Sequence, residues 1–244
     1  GAVPELDVGD FLEILEDLGD VDSIVVPIGG GGLISGIATA AKAKKPSIRI
    51  IGVVSNQAPA MMCMYKKLPI PESKKKIATI AEGIAVKNAS PVMYETYISK
   101  LVDDIVSVND DEISKAIVFL IEKGKTVTEG SGAAGFAAVM SRGAELKLGK
   151  KTCVVLCGGN IDLTVMSKVI ERGLREEHRL ARFAVVVDDT PGNLNRLTTV
   201  MAENRANILE VYHDRVSPEL ALRETRIDFL VETALRVEIH ETLL

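Results

Sequence analysis

Apolar residues fall in short unbroken runs along the first part of the chain and in alternating patterns along its last part. The two patterns predict different kinds of sheet. Phe11–Leu18 is apolar at positions 11, 12, 14, 15 and 18, a helical spacing. Ser23–Ile28 (SIVVPI) then reads as a buried strand, followed by four glycines, a helix from about Leu33 to Lys45 and a second buried strand at Ile48–Val54. Such a strand–helix–strand unit predicts a parallel sheet with a right-handed crossover. Further on, Met61–Tyr65 begins a helix and Leu68–Lys76 is a loop rich in proline and lysine. Asp110–Lys123 is amphipathic, with Asp110 as the expected N-cap and Gly124 as the expected stop. Gly135–Met140 continues a helix out of a second glycine loop, and Thr152–Leu156 is a third buried strand ending at Cys157.

After Arg172 the character changes. Glu171–Arg182 reads as a charged linker helix. Arg182–Val187 is a strand, Asn193–Glu203 a helix, and Asn207–His213 and Arg226–Thr233 two more strands, with the final residues starting a second helix. The β-α-β-β order predicts a small α+β sandwich. The expected division is residues 1–170, a linker at 171–181 and a small domain at 182–244.

Composition narrows the function classes. With 244 residues, 47% of them hydrophobic, and a net charge of -5, the chain can bury a core and carries no basic surface suited to nucleic acid. The run Lys74–Lys76 reads as a solvated loop. Ser23–Ala41 carries no charge, but Pro27 and the glycines would break a membrane-spanning helix at its middle, so no membrane segment is expected. Cys63, Cys153 and Cys157 have neither metal-ligand spacing nor a disulfide framework, which sets a reducing, cytoplasmic environment as the default. The chain opens Gly-Ala-Val-Pro-Glu, with no initiator methionine and no signal peptide, and is expected to begin inside a longer protein.

Three loops carry candidate chemistry. The first is Pro27-Ile-Gly-Gly-Gly-Gly-Leu-Ile-Ser-Gly36. Glycines let several amide N–H groups turn towards one point, and the helix that follows adds its unpaired donors and positive dipole end. A phosphate is the expected ligand. The dinucleotide fingerprint fails, because the third glycine it requires is Ile34 or Ser35, and Val53, Val54 and Ser55 stand where the acidic ribose ligand belongs. No Gly-Lys-Ser/Thr follows either, which leaves a single terminal phosphate. The second loop, Thr128–Gly135, read alone is equally a flexible connection capped by Ser131. In the third, Cys157-Gly-Gly-Asn-Ile-Asp162, Cys157 stands where ligands bind in open α/β sheets, although a lone cysteine is more often a small buried apolar residue.

Taken together, VPIGGGGLISG, TIAEGIAVK (Thr79–Lys87), LVDDIVSVNDDEI (Leu101–Ile113), TEGSGAAG and CGGNID resemble the β-family (fold type II) of pyridoxal-phosphate enzymes, and within it the threonine dehydratases, or threonine ammonia-lyases. The resemblance implies an α/β fold with the open parallel sheet of the tryptophan-synthase-β kind, and pyridoxal 5'-phosphate as cofactor. It implies that Gly29, Gly30, Gly31, Gly32 and Leu33 hold the phosphate, that Gly83 approaches the ring through its backbone, and that Glu129 lines the site. Cys157 would face the pyridine nitrogen, and a neutral partner there leaves that nitrogen largely unprotonated and favours β-elimination. The implied substrates are L-threonine and L-serine, with 2-oxobutanoate or pyruvate and ammonia as products, in amino-acid metabolism that includes isoleucine biosynthesis.

Two features depart from the family. Its Schiff-base lysine lies in a Ser-Phe-Lys-type motif that no lysine here matches, so no catalytic residue is assigned and the chain alone is expected to be inactive. Where some relatives place a Glu and an Asp on a divalent cation, this sequence has Val54 and Ala60, and no metal site is expected. Val185–Arg215 resembles an ACT-type regulatory domain, of ferredoxin-like fold, with Asn193, Leu194 and Asn207 where such domains accept an amino-acid effector. Asn207 is equally a turn residue, and the module equally a dimerisation unit. The implied partners are an amino-acid substrate, an allosteric amino-acid effector and further copies in a homo-oligomer. The rival readings are a serine racemase-like enzyme, a non-enzymatic amino-acid sensor and a nucleotide-binding protein.

Overall fold

The computed structural model describes residues 20–71 and 77–233. The expected helix at Phe11–Leu18, the Lys74–Lys76 run and the expected second helix of the small domain lie outside them. Contacts divide the chain into two units, Gly1–Ile170 and Glu171–Leu244.

In the first unit, β1 (Ser23–Pro27), β2 (Arg49–Ser55), β3 (Asp104–Val108) and β4 (Thr152–Val154) form one parallel sheet in the order β3-β2-β1-β4. All five residues of β1 are buried, which accounts for its continuous apolar run. Alternate side chains of the central strands point to opposite faces. Ile24, Val26 and Ile50 pack with Ile34, Ile37, Ala38 and Ala41 of helix α1 (Gly32–Lys44). Val25, Ile51 and Val53 pack on the other face, against Ile113, Ala116 and Ile117 of α4 (Asp110–Phe119) and Ala133, Ala134, Ala137 and Ala138 of α5 (Gly130–Arg142). The alanines let α5 lie close on the sheet, so its hold comes from tight contact more than from large buried area. Between the strands run α2 (Ala60–Lys66), a 3₁₀ turn at Glu82–Ile84, and the helical stretch α3, made of Pro91–Met93, a π-turn at Tyr94–Ile98 and Ser99–Leu101.

Two predicted helix ends move. The N-cap of α4 is Asn109, not Asp110: the Asn109 side chain accepts from the Glu112 amide at 2.9 Å, and Glu112 accepts from the Asn109 amide at 2.8 Å. This is a capping box, and it frees the Asp110 carboxylate for other partners. At the other end α4 widens into a π-turn at Leu120–Gly124, and the left-handed residue that stops it is Lys125 rather than Gly124. The second glycine loop is itself the first turn of α5, which starts at Gly130. Strand β3 is an element that the apolar pattern did not predict, because Asp104 and Ser107 interrupt its run.

In the second unit the order is β5 (Leu180–Asp188), α7 (Asn193–Glu203), β6 (Ala206–Asp214), β7 (Glu224–Thr233). The expected linker helix Glu171–Arg182 is divided: its first residues end α6 (Leu163–Glu176), and its last three, from Leu180 to Arg182, open β5. The three strands make an antiparallel sheet in the order β5-β7-β6. Phe183, Val185, Ile227, Phe229 and Val231 of its inner face pack with Leu197 and Met201 of α7. A bulge between Ile208 and Glu210 shifts β6 by one residue. Beyond it Val211 and His213, rather than Glu210 and Tyr212, lie opposite the helix-side residues Phe229 and Ile227.

Candidate functional site

The carboxyl edge of the parallel sheet gathers loops from four places in the chain around one cavity of about 250 Å³. The first loop leaves β1 at Pro27. Gly31 adopts φ 99°, a left-handed conformation open to glycine, and serves as N-cap of α1 without any side chain to satisfy the helix amides. Among the described residues none of the amides from Gly29 to Ile34 donates to a backbone carbonyl; Ser35 is the first, to Gly31. Those free donors and the helix dipole make a built anion cradle.

The second loop brings Gly83 against the first, since a Cβ at Gly29 would stand 2.9 Å from the Gly83 carbonyl oxygen. This loop is held by a small network. Thr79 Oγ1 donates to Asp110 Oδ1 at 2.6 Å and accepts from the Ala81 amide at 3.2 Å and from Ser55 Oγ at 3.3 Å. Asp110, displaced from the capping role, thus anchors the Gly83 loop. Thr79→Val is expected to lower unfolding stability by about 1–2 kcal/mol, read as a shifted urea midpoint at unchanged slope. An unchanged midpoint would mean that the network adds nothing to the fold.

The third and fourth loops are tied to each other. The Glu129 amide and the Thr128 hydroxyl both donate to the Gly158 carbonyl, at 3.0 and 2.9 Å. Gly158 has φ 75°, and the Glu129 carboxyl group lies 2.7 Å from where its Cβ would stand. Asp162 begins α6 by accepting from the Thr164 hydroxyl and amide at 2.6 and 2.7 Å, and the hydroxyl bond above all holds its carboxyl below the usual range. Burial pushes the Cys153 thiol up, which keeps it a neutral packing residue of β4.

Gly29, Gly30, Gly31, Gly32, Leu33, Gly83, Glu129 and Cys157, the residues named from the sequence, all line this cavity. Ser131 lines it too, and the sequence pattern had given that serine only a capping role. Among the described residues no cluster of three His, Cys, Asp or Glu side chains could hold a metal ion, and no helix is long and apolar enough to cross a membrane.

A second cavity, of about 400 Å³, lies in the second unit between the β5–α7 turn and the ends of β6 and β7. Asn193 and Leu194 line it, with Asp189, His213 and Arg215. Asn193 Nδ2 donates to the Asp188 carbonyl at 2.8 Å, and Arg215 pairs with Asp189 at 3.1 Å. Asn207 is not brought there. It pairs with Glu232 at the far end of β6, roughly 20 Å along the strand from His213 at about 3.3 Å per residue.

A family model described as pyridoxal-phosphate dependent enzyme matches residues 10–158. The L-threonine ammonia-lyase of Thermotoga maritima is 40% identical over 230 residues, 94% of this chain and 56% of the relative. That of Geobacter sulfurreducens is 43% identical over 236 residues, 95% of this chain and 57% of the relative. The chain therefore spans a little over half the length of these relatives. Among solved structures, the processed form of threonine deaminase isoform 2 from Solanum lycopersicum superimposes with a TM-score of 0.61 at 30% identity, over 68% of this chain and 45% of that one. Maize serine racemase gives 0.59 at 34% identity, over 66% and 50%.

Proposed function

The chain belongs to the family of pyridoxal-phosphate dependent enzymes, and on that premise we propose that it is part of an L-threonine ammonia-lyase that also accepts L-serine. The observation that carries this reading is the gathering of the glycine cradle, Gly83, Glu129 and Cys157 around one cavity. The residues fit a phosphorylated ring. Among the described residues the cradle has free amides for a phosphate, and a Cβ at Gly30 would meet nothing within 4 Å, so the floor is open. A buried hydroxyl, Ser131 Oγ, lacks any partner among the described residues. When bound, pyridoxal phosphate supplies a ring that draws electron density from the substrate's α-carbon.

The chain's own residues set how that ring is held. Gly29–Gly32 and Leu33 bind the phosphate through amides at the start of α1. Gly83 presents backbone to the ring, and Glu129 closes the wall beside Gly158. Cys157, also in the lining, would offer the ring nitrogen a thiol rather than a carboxylate, which would leave that nitrogen largely unprotonated. The arrangement suits loss of a β-hydroxyl better than chemistry that needs a fully protonated ring. A serine racemase-like activity is the second reading, supported by the maize structure's likeness.

The same proposal gives the second unit an ACT-like regulatory role, in a homo-oligomeric, cytoplasmic enzyme. Its cavity suits an amino acid, with the start of α7 and Arg215 on a carboxylate and Asp188 and Asp189 on an ammonium.

The test is a titration panel on the chain. Pyridoxal phosphate should bind at least about tenfold more tightly than pyridoxal, since the cradle reads phosphate. Isoleucine or threonine should bind independently of the cofactor. Preference for NAD or ATP would overturn the reading. The protein purified from its own source should release 2-oxobutanoate from L-threonine, and racemisation of L-serine without elimination would favour the second reading.

A further inference from the structure

The cavity at the sheet edge is lined by a residue whose polar atom no described residue satisfies. Ser131, in the first turn of α5, is only 5% exposed, and its Oγ has no hydrogen-bond partner among the described residues. Serine near a helix start ordinarily turns its hydroxyl onto the helix's own amides, yet α5 has no side-chain cap. Leaving a buried hydroxyl unpaired costs about 1–3 kcal/mol. The groups around Ser131 therefore imply a ligand atom that completes it.

Its position says which end of a ligand that atom belongs to. Gly83 stands between the phosphate cradle and the serine. Its carbonyl oxygen lies against Gly29, whereas a Cβ on Gly83 would meet Ser131 Oγ at 2.8 Å and Glu129 Oε1 at 3.2 Å. The hydroxyl thus sits past Gly83 from the cradle, beside a carboxylate that repels a second anion. A phosphate held by Gly29–Gly32 leaves the ring and its substituents on the Ser131 side.

We propose that Ser131 contacts the cofactor, its hydroxyl hydrogen-bonding to a polar atom of the pyridine ring system rather than to the phosphate. The inference rests on the pyridoxal-phosphate reading above. In that role Ser131 would help to hold the ring in the cavity that Gly83 and Glu129 also line, and the serine at this place in TEGSGAAG is a ring-reading residue rather than a helix cap.

The test compares the native chain, Ser131→Ala and Ser131→Thr by equilibrium titration with pyridoxal phosphate and with inorganic phosphate. Ser131→Ala should weaken pyridoxal phosphate about five- to tenfold, the effect of one lost hydrogen bond. It should leave phosphate affinity unchanged, and Ser131→Thr, which keeps the hydroxyl, should restore the difference. Without ligand, Ser131→Ala should melt at the same or a higher temperature, because it removes an unsatisfied group. Equal affinity of native and Ser131→Ala for pyridoxal phosphate would overturn the inference. So would a parallel loss of phosphate affinity or a lower ligand-free melting temperature, either of which makes the hydroxyl part of the fold. A native chain that binds neither probe overturns the cofactor reading and this inference with it.

Discussion

Gly132→Ala is expected to destabilise the protein by about 3 kcal/mol or more. A Cβ at this position would overlap the carbonyl oxygen of Cys157 and the hydroxyl of Thr128, and would lie 2.8 Å from the Cys157 carbonyl carbon. Two of the three obstacles are backbone, so no rotamer change relieves the clash. Either the first turn of α5 moves out or the Cys157 loop moves away. Both shifts pull apart the bonds from the Glu129 amide and the Thr128 hydroxyl to the Gly158 carbonyl. Gly124→Ala is the control, since its nearest neighbour would be 3.7 Å away. Urea unfolding of the two variants should show a large drop in midpoint for the first and little change for the second. A Gly132→Ala protein as stable as the native one would show that the loops at this edge are not packed as described.

Gly30→Asp is expected to do the reverse, sparing the fold and removing the ligand. Gly30 is exposed, and none of the described residues lies within 4 Å of where its Cβ would stand. The melting temperature should therefore stay within about 2 °C of native, as for a surface change. The new carboxylate stands in the cradle, and its repulsion of a phosphate should weaken pyridoxal phosphate by roughly 100-fold, about 2.7 kcal/mol. Gly30→Ala should fall between, since it adds bulk without charge. Affinity within about twofold of native for the aspartate variant would place the phosphate elsewhere.

The glycine cradle was legible because its signal is local, whereas Gly83, Glu129 and Cys157 were named through the family resemblance and not through any local pattern. Four consecutive glycines between an unbroken apolar run and a small-residue helix admit few structures, and strands buried on both faces advertise themselves by continuity. Elements that depend on tertiary partners were not legible. The Asn109-x-x-Glu112 box is local and could have been read, but nothing local shows that Asp110 beside it holds Thr79 of a distant loop. Strand β3 hides behind Asp104 and Ser107, although Asp104 pairs with Ile51 and Ser107 with Val54 in the sheet. Ser131 looked like a cap because its place in the sequence suits one, and only its burial without a partner shows otherwise. His213 was missed for a sharper reason. The alternation along β6 reverses at the Ile208/Glu210 bulge, so counting by twos from Ala206 puts His213 on the wrong face.

The order β3-β2-β1-β4 also has a consequence in time. Strand β4 is last of the four in the chain and takes the open side of β1, and it carries Cys157 and Gly158 into place. Until it docks, the cavity at Gly29–Gly32 lacks the wall that Cys157 and Gly158 supply, however well β1, β2 and α1 have already formed. Closure of β4, the most sequence-distant pairing of this sheet, is expected late, and ligand capture should follow it. In a refolding experiment the cofactor's signal would act as a clock for that closing step, trailing the recovery of helical signal rather than rising with it.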